Sequence, residues 1–130
     1  MQAIAMKHEI SPEQALLKEL GDLGGVEIFN NQVLVAVYIR PEKTRGGIIL
    51  ANQTRDEDRY QSKVGLLVKW GEAAFLDDTD KWFKGKAFKL HDWLVFRPSD
   101  GWSLVVNGVL CRLVSDTEVR GRVDNPDRVY

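Results

Sequence analysis

Cysteine and histidine are nearly missing from this sequence: Cys111 stands alone, and only His8 and His91 carry an imidazole. A single thiol cannot close an internal disulfide, and no C-x-x-C pair is present to build a structural zinc site. In V-L-C-R-L-V the cysteine reads as a small core residue. His91-Asp92 is an acid–base pairing on paper, but it sits in K-L-H-D-W with no activated nucleophile beside it, which favours a solvated turn. Phosphate-binding and dinucleotide-binding glycine motifs and the nucleophile elbow are also missing. The expectation is therefore a protein that is not an enzyme and carries no cofactor and no metal.

Charge of one sign is equally scarce. Eighteen basic and nineteen acidic residues are intermixed, for a net charge of −1, and no basic stripe marks a nucleic-acid surface. No apolar run approaches the ~18 residues that would cross a bilayer. The opening M-Q-A-I-A-M-K-H-E-I lacks the pattern of a signal peptide. Partners are thus expected to be proteins, with no nucleic acid and no membrane, and the location cytoplasmic.

What remains is an ordinary globular composition, 44% apolar over 130 residues, enough for one domain with a modest core. S-P-E-Q-A-L-L-K-E-L-G, residues 11 to 21, reads as a helix: Ser11 caps, Pro12 suits the first turn, Gln14 completes a capping box and Gly21 ends it. Leu16, Leu17 and Leu20 fall on one face, so the helix lies on its own domain or on a partner. Beyond it the pattern becomes β. V-L-V-A-V-Y-I (33–39), Lys63 to Trp70, Ala87 to Leu90, Trp93 to Phe96, Ser103 to Val106 and Val109 to Val114 are strand candidates. Asn107-Gly108 between the last two predicts a type I′ hairpin. Short strands with such turns predict an all-β barrel or sandwich. Trp82-Phe83, in the polar run D-D-T-D-K-W-F-K-G-K, is either a contact surface or a plug folded back on the core. The tail D-N-P-D-R-V-Y predicts a frayed end, with Val129-Tyr130 as an alternative anchor on a neighbour.

Residues 40 to 63 join two strong strands through a polar stretch that contains K-T-R-G-G-I-I-L. Connections of this length are usually functional or disordered. Ile48-Ile49-Leu50 is either a short edge strand on its own core or a contact held out for a partner.

Gly46-Gly47-Ile48-Ile49-Leu50 after a first strand, followed by a polar run and then S-K-V-G-L-L-V-K-W-G (62–71), resembles the GroES-type co-chaperonins. In that family a mobile loop carries Gly-Gly-Ile-Val-Leu or a close variant. Phe88 to Phe96 is similar to the family's V-K-x-G-D-x-V-x-F, with His91 in place of the glycine before Asp92, and Leu110 to Val123 is similar to its closing strands. The resemblance covers about residues 27 to 123. It implies a GroES-like, partly open β-barrel at 26–123, with a mobile loop at about 40–62 and a dome hairpin at about 72–86. Residues 1–25 would form an N-terminal extension with one helix, and 124–130 a tail. It further implies a homo-oligomeric ring, expected to be a heptamer, capping a GroEL-type chaperonin. Gly46, Gly47, Ile48, Ile49 and Leu50 would be the docking residues, and Trp82 and Phe83 a secondary contact. Val33, Val35, Val119 and Val123 would line the subunit interface, the closing strand pairing with a neighbour's first strand.

The helical extension and the polar T-E-V-R-G-R-V depart from ordinary cellular members and resemble phage-encoded relatives. A phage protein would act in the host cytoplasm. The alternative reading is a phage structural protein, a capsid decoration or assembly factor contacting a viral capsid protein in the virion. Zinc-dependent alcohol dehydrogenases use a similar barrel, but they need cysteine and histidine ligands that this chain does not supply.

Overall fold

Ser11 opens the first element as its side chain predicts. In the computed structural model, which describes residues 10–40, 62–77 and 82–129, its hydroxyl accepts the Gln14 N–H at 3.1 Å and starts helix α1, Pro12–Leu20. Gly21, at φ 65°, ends the helix and returns its N–H to the Leu17 carbonyl at 3.0 Å. Leu20 is fully buried, and Leu16 and Leu17 pack on the same cluster. The apolar face of α1 therefore covers its own domain.

Among the described residues six strands follow: β1 Gln32–Val37, β2 Val64–Trp70, β3 Trp93–Val95, β4 Trp102–Val106, β5 Val109–Ser115 and β6 Gly121–Val123. They form one antiparallel sheet in the order β4-β5-β1-β2-β3-β6. β1 lies between β5 and β2, and both its faces are covered. Leu34, Ala36 and Tyr38 join a cluster with Val64, Leu66, Trp93 and Cys111, beneath α1. Val33 and Val35 join a second cluster with Leu67, Leu94, Phe96 and Val114 on the opposite face. Double burial explains why β1 is a continuous apolar run rather than an alternation. Arg112 enters the second side with its guanidinium 5.6 Å over the Phe96 ring and a bond to the Asp100 carbonyl. Burial lowers its pKa, with Asp100 opposing the shift.

The sheet is open: β4 and β6 stand at its two ends. Among the described residues the fold is thus mostly β, with one short α-helix, and the sheet does not close into a barrel. Asn107 (φ 50°) and Gly108 (φ 81°) turn β4 into β5 with both residues left-handed, as a type I′ turn requires. Gly101, at φ 65°, lies so close to the Leu113 carbonyl oxygen that a Cβ would overlap it.

Two expectations change. Ala87 to Leu90 is not a strand, because its polar groups are used elsewhere. The Ala87 carbonyl accepts Arg122 at 2.7 Å, the Lys89 N–H goes to Asp92 at 3.1 Å, and the Phe88 ring turns into an aromatic cluster. Along its inner edge β6 pairs with β3, Trp93 opposite Val123 and Val95 opposite Gly121, and its outer edge is the end of the described sheet. Through residue 129 the tail is not frayed: Pro126–Val129 forms a short 3₁₀ turn, Asp127 is buried and bonded to the Tyr38 hydroxyl, and Val129 packs on the first cluster.

Candidate docking sites at the two ends of the sheet

β1 and β2 are antiparallel neighbours, so the register fixes where their connections leave. Val37 faces Gly65 at one end, and Val33 faces Trp70 at the other. The connection through residues 38–63 therefore departs and returns at a single end. The β2–β3 connection, 71–92, starts from the opposite end.

The base of the first connection is firmly held. Tyr38 donates its N–H to the Val64 carbonyl at 3.1 Å and is buried edge-on against Trp93, with ring centroids 5.8 Å apart. Its hydroxyl reaches the Asp127 carboxylate. Ser62 is fully buried, and the Lys63 carbonyl accepts the Phe96 N–H at 3.0 Å. Gly46, Gly47, Ile48, Ile49 and Leu50, the residues singled out for docking, lie outside the described residues. What the structure supplies is their mounting point.

At the opposite end Gly71 sits against the Phe29 and Asn30 backbone too closely for any Cβ. The chain then turns through Ala73, whose N–H reaches the Asn30 carbonyl at 2.9 Å, to Phe75 at φ 63°. Asp116 holds this turn. Its carboxylate, 5% exposed, accepts the Phe75 N–H at 2.9 Å and the Asn31 side-chain amide at 3.1 Å. Phe75 stacks on Phe88 at 4.1 Å, with Phe83 edge-on to both and Trp70 edge-on to Phe75.

Trp82 and Phe83 therefore part company. Phe83 folds back as a plug, whereas Trp82 is 71% exposed. Both backbone N–H groups are held by the Asp77 carboxylate, at 2.6 and 3.1 Å. Residues 78–81, at the tip of the expected dome hairpin, lie outside the described residues.

Beside Trp82 is a cleft of about 360 Å³ lined by aromatic and cationic side chains, among them Phe88, Lys86, Arg120 and Arg122. Arg122 lies 5.4 Å over Phe88 and is 3.1 Å from the Asp92 carboxylate. The sequence reading missed this cleft. Its one signal was the i, i+2 spacing of Arg120 and Arg122, which places both on one side of an extended segment.

The remaining singled-out residues are also placed. Val33 and Val35, expected at a subunit interface, have no exposed surface in this chain and pack in the second cluster. Val119 and Val123 are half-buried, packed on the second and first clusters respectively. His91, at φ 74°, occupies the expected turn with its Nδ1 3.2 Å from the Glu13 carboxylate on α1. Burial pushes the Cys111 thiol up to about 11. Among the described residues, no group of three or more His, Cys, Asp or Glu is placed to hold a metal, and no helix is long and apolar enough to cross a membrane. Neither a protein-family model nor a curated protein matches the chain.

Proposed function

We propose that this chain is a non-enzymatic co-chaperonin of the GroES type, which caps a chaperonin cylinder through Ile48-Ile49-Leu50 and so assists protein folding. The observation that carries the reading is the division of labour between the two ends of the sheet. The segment with the aliphatic triplet is mounted at one end, and the aromatic-braced 71–92 connection at the other. A cap needs this polarity: docking elements toward the cylinder and a roof away from it. The His91 turn adds support. The position where the family has glycine is left-handed here, φ 74°, which glycine adopts without strain. In this reading the subunit is a GroES-like, partly open barrel, and copies assemble into a seven-membered ring.

Energetics favour a ring of weak hooks. Burying three aliphatic side chains yields about 1.5–3 kcal/mol each. Ordering a segment on binding takes back about 2–5 kcal/mol. One hook then binds weakly, and several on one ring gain about 10²–10⁴ in avidity without new contacts. Capping is tight yet reversible.

The test is Ile49→Asp. Capture by a GroEL-type chaperonin and assisted refolding should both be lost while the assembly state of the variant is unchanged. Undiminished capture by an intact assembly would sink the proposal.

A virion structural protein is the second reading, and exposed Trp82 beside its cationic cleft is the observation that favours it. The helix and the tail, through Leu16, Leu17, Leu20 and Val129, are spent on the chain's own core. Proteomics of purified particles separates the two readings, since a decoration protein is abundant in virions and a co-chaperonin is not.

A further inference from the structure

Among the described residues β4 is an edge strand without the usual protections. Edges are normally blunted by charge, proline, bulges or a covering segment. Trp102-Ser103-Leu104-Val105-Val106 has no charge and no proline, and its register with β5 runs unbroken over five pairs. Trp102 is 73% exposed, Val105 67% and Leu104 37%. An apolar groove of about 200 Å³, lined by Trp102, Ser103, Leu104 and Leu113, opens beside it.

The two-residue Asn107-Gly108 turn makes Val106 and Val109 a hydrogen-bonded pair. Bonded and non-bonded pairs alternate along an antiparallel ladder. Leu104 opposite Cys111 and Trp102 opposite Leu113 are therefore bonded inward. The backbone N–H and C=O groups of Ser103 and Val105 then point out of the sheet, two donors and two acceptors in a row.

We propose that β4 pairs edge to edge with β4 of a second copy, antiparallel, about a two-fold axis through Leu104. Centred there, Ser103 faces Val105 of the second copy and Val105 faces its Ser103, so all four outward groups of each strand find partners. Leu104 faces its own counterpart as a non-bonded pair, and Trp102 faces Val106. The strand is self-complementary in hydrogen bonding and in polarity. It is also neutral, so two copies meet without like-charge repulsion. The other sheet end offers less: β6 has three residues, with Arg122 committed to Asp92. Stable specific interfaces bury about 1,200–2,000 Å² in total. Two five-residue strands fall short of that, so the contact is weak and concentration-dependent in isolation. It is separate from the co-chaperonin reading, because a two-fold contact does not close a ring; it joins chains, or rings, in pairs.

Disulfide trapping tests the register. Leu104 also faces Cys111 in its own chain, so Leu104→Cys is made in a Cys111→Ala background. Non-bonded antiparallel pairs have Cα atoms about 4.5 Å apart, within the reach of a disulfide. Oxidised Leu104→Cys should run as a covalent dimer, and Val105→Cys in the same background should not link to itself. Separately, Val105→Lys in the otherwise native chain should halve the light-scattering mass at high concentration with unchanged circular dichroism. The proposal is overturned if Leu104→Cys stays unlinked, if Val105→Cys links equally well, or if Val105→Lys keeps the wild-type mass.

Discussion

Asp116→Ala offers the sharpest energetic test of how the sheet end opposite the 38–63 connection is held. The carboxylate is 5% exposed and accepts two donors, the Phe75 N–H at 2.9 Å and the Asn31 side chain at 3.1 Å. Removing the acceptor from a donor that is at least partly buried costs about 1–3 kcal/mol each. Part is recovered, because Phe75 is held at φ 63°, and a left-handed residue other than glycine stores about 1–2 kcal/mol that the variant releases on relaxing. At the middle of these ranges, about 4 kcal/mol lost less about 1.5 recovered, the expected net loss is about 2–3 kcal/mol, read from urea unfolding followed by tryptophan fluorescence. Near-ultraviolet dichroism should weaken as well, since Phe75 carries the stack on Phe88. Chaperonin capture should persist wherever the variant is folded, because Asp116 braces the end opposite the Tyr38–Val64 base. A loss below 1 kcal/mol would refute the reasoning that this carboxylate pins the turn.

Other outcomes follow from the same geometry. The Asn107 side chain donates to the Leu20 carbonyl at 2.7 Å and the Asp22 carbonyl at 3.1 Å, while its backbone supplies a φ of 50°. Asn107→Ala should cost about 1–3 kcal/mol and speed proteolysis near residue 21; unchanged cleavage would contradict this link between turn and helix. Gly101→Ala should destabilise more than Asn107→Ala, because it adds overlap with the Leu113 carbonyl to a left-handed φ, and equal midpoints in a thermal melt would argue otherwise. For Cys111 the folded pKa is raised from 9.0 to about 11 by burial. Between these values the unfolded chain loses its proton first, so the thiol's contribution is intact below pH about 9 and is lost as pH rises toward 11. The size is on the order of 2–3 kcal/mol. Cys111→Ala should flatten the fall in stability over that window relative to wild type, and parallel slopes would refute it.

Local signals made much of the fold legible. Ser11, Pro12 and Gly21 bounded a helix that the structure draws at Pro12–Leu20, and Asn107-Gly108 fixed the β4–β5 turn and its register. The apolar run of β1 was recognisable because burial on both faces leaves no polar position. What escaped was decided by distant partners. The tail looked frayed because Asp127 meets Tyr38, 89 positions away, and no local pattern records that. Phe88 sits in an apparent strand, but its ring stacks on Phe75, thirteen positions earlier, which no local pattern records. Trp82 and Phe83 are adjacent, and it is the contact of Phe83 with Phe75 and Phe88 that separates a side chain turned in from one left exposed. Whether a sheet closes into a barrel depends on twist and strand stagger summed over all its members, and strand composition carries neither.

The central claim is that residues 46–50 dock on a chaperonin while the opposite end of the sheet does not. Amide hydrogen exchange, with and without a GroEL-type chaperonin and its nucleotide, reads both regions at once. The account predicts that Gly46 to Leu50 gain protection on addition of the chaperonin while residues 71–92 exchange as before. Unchanged exchange at 46–50, or protection confined to 71–92, would contradict it.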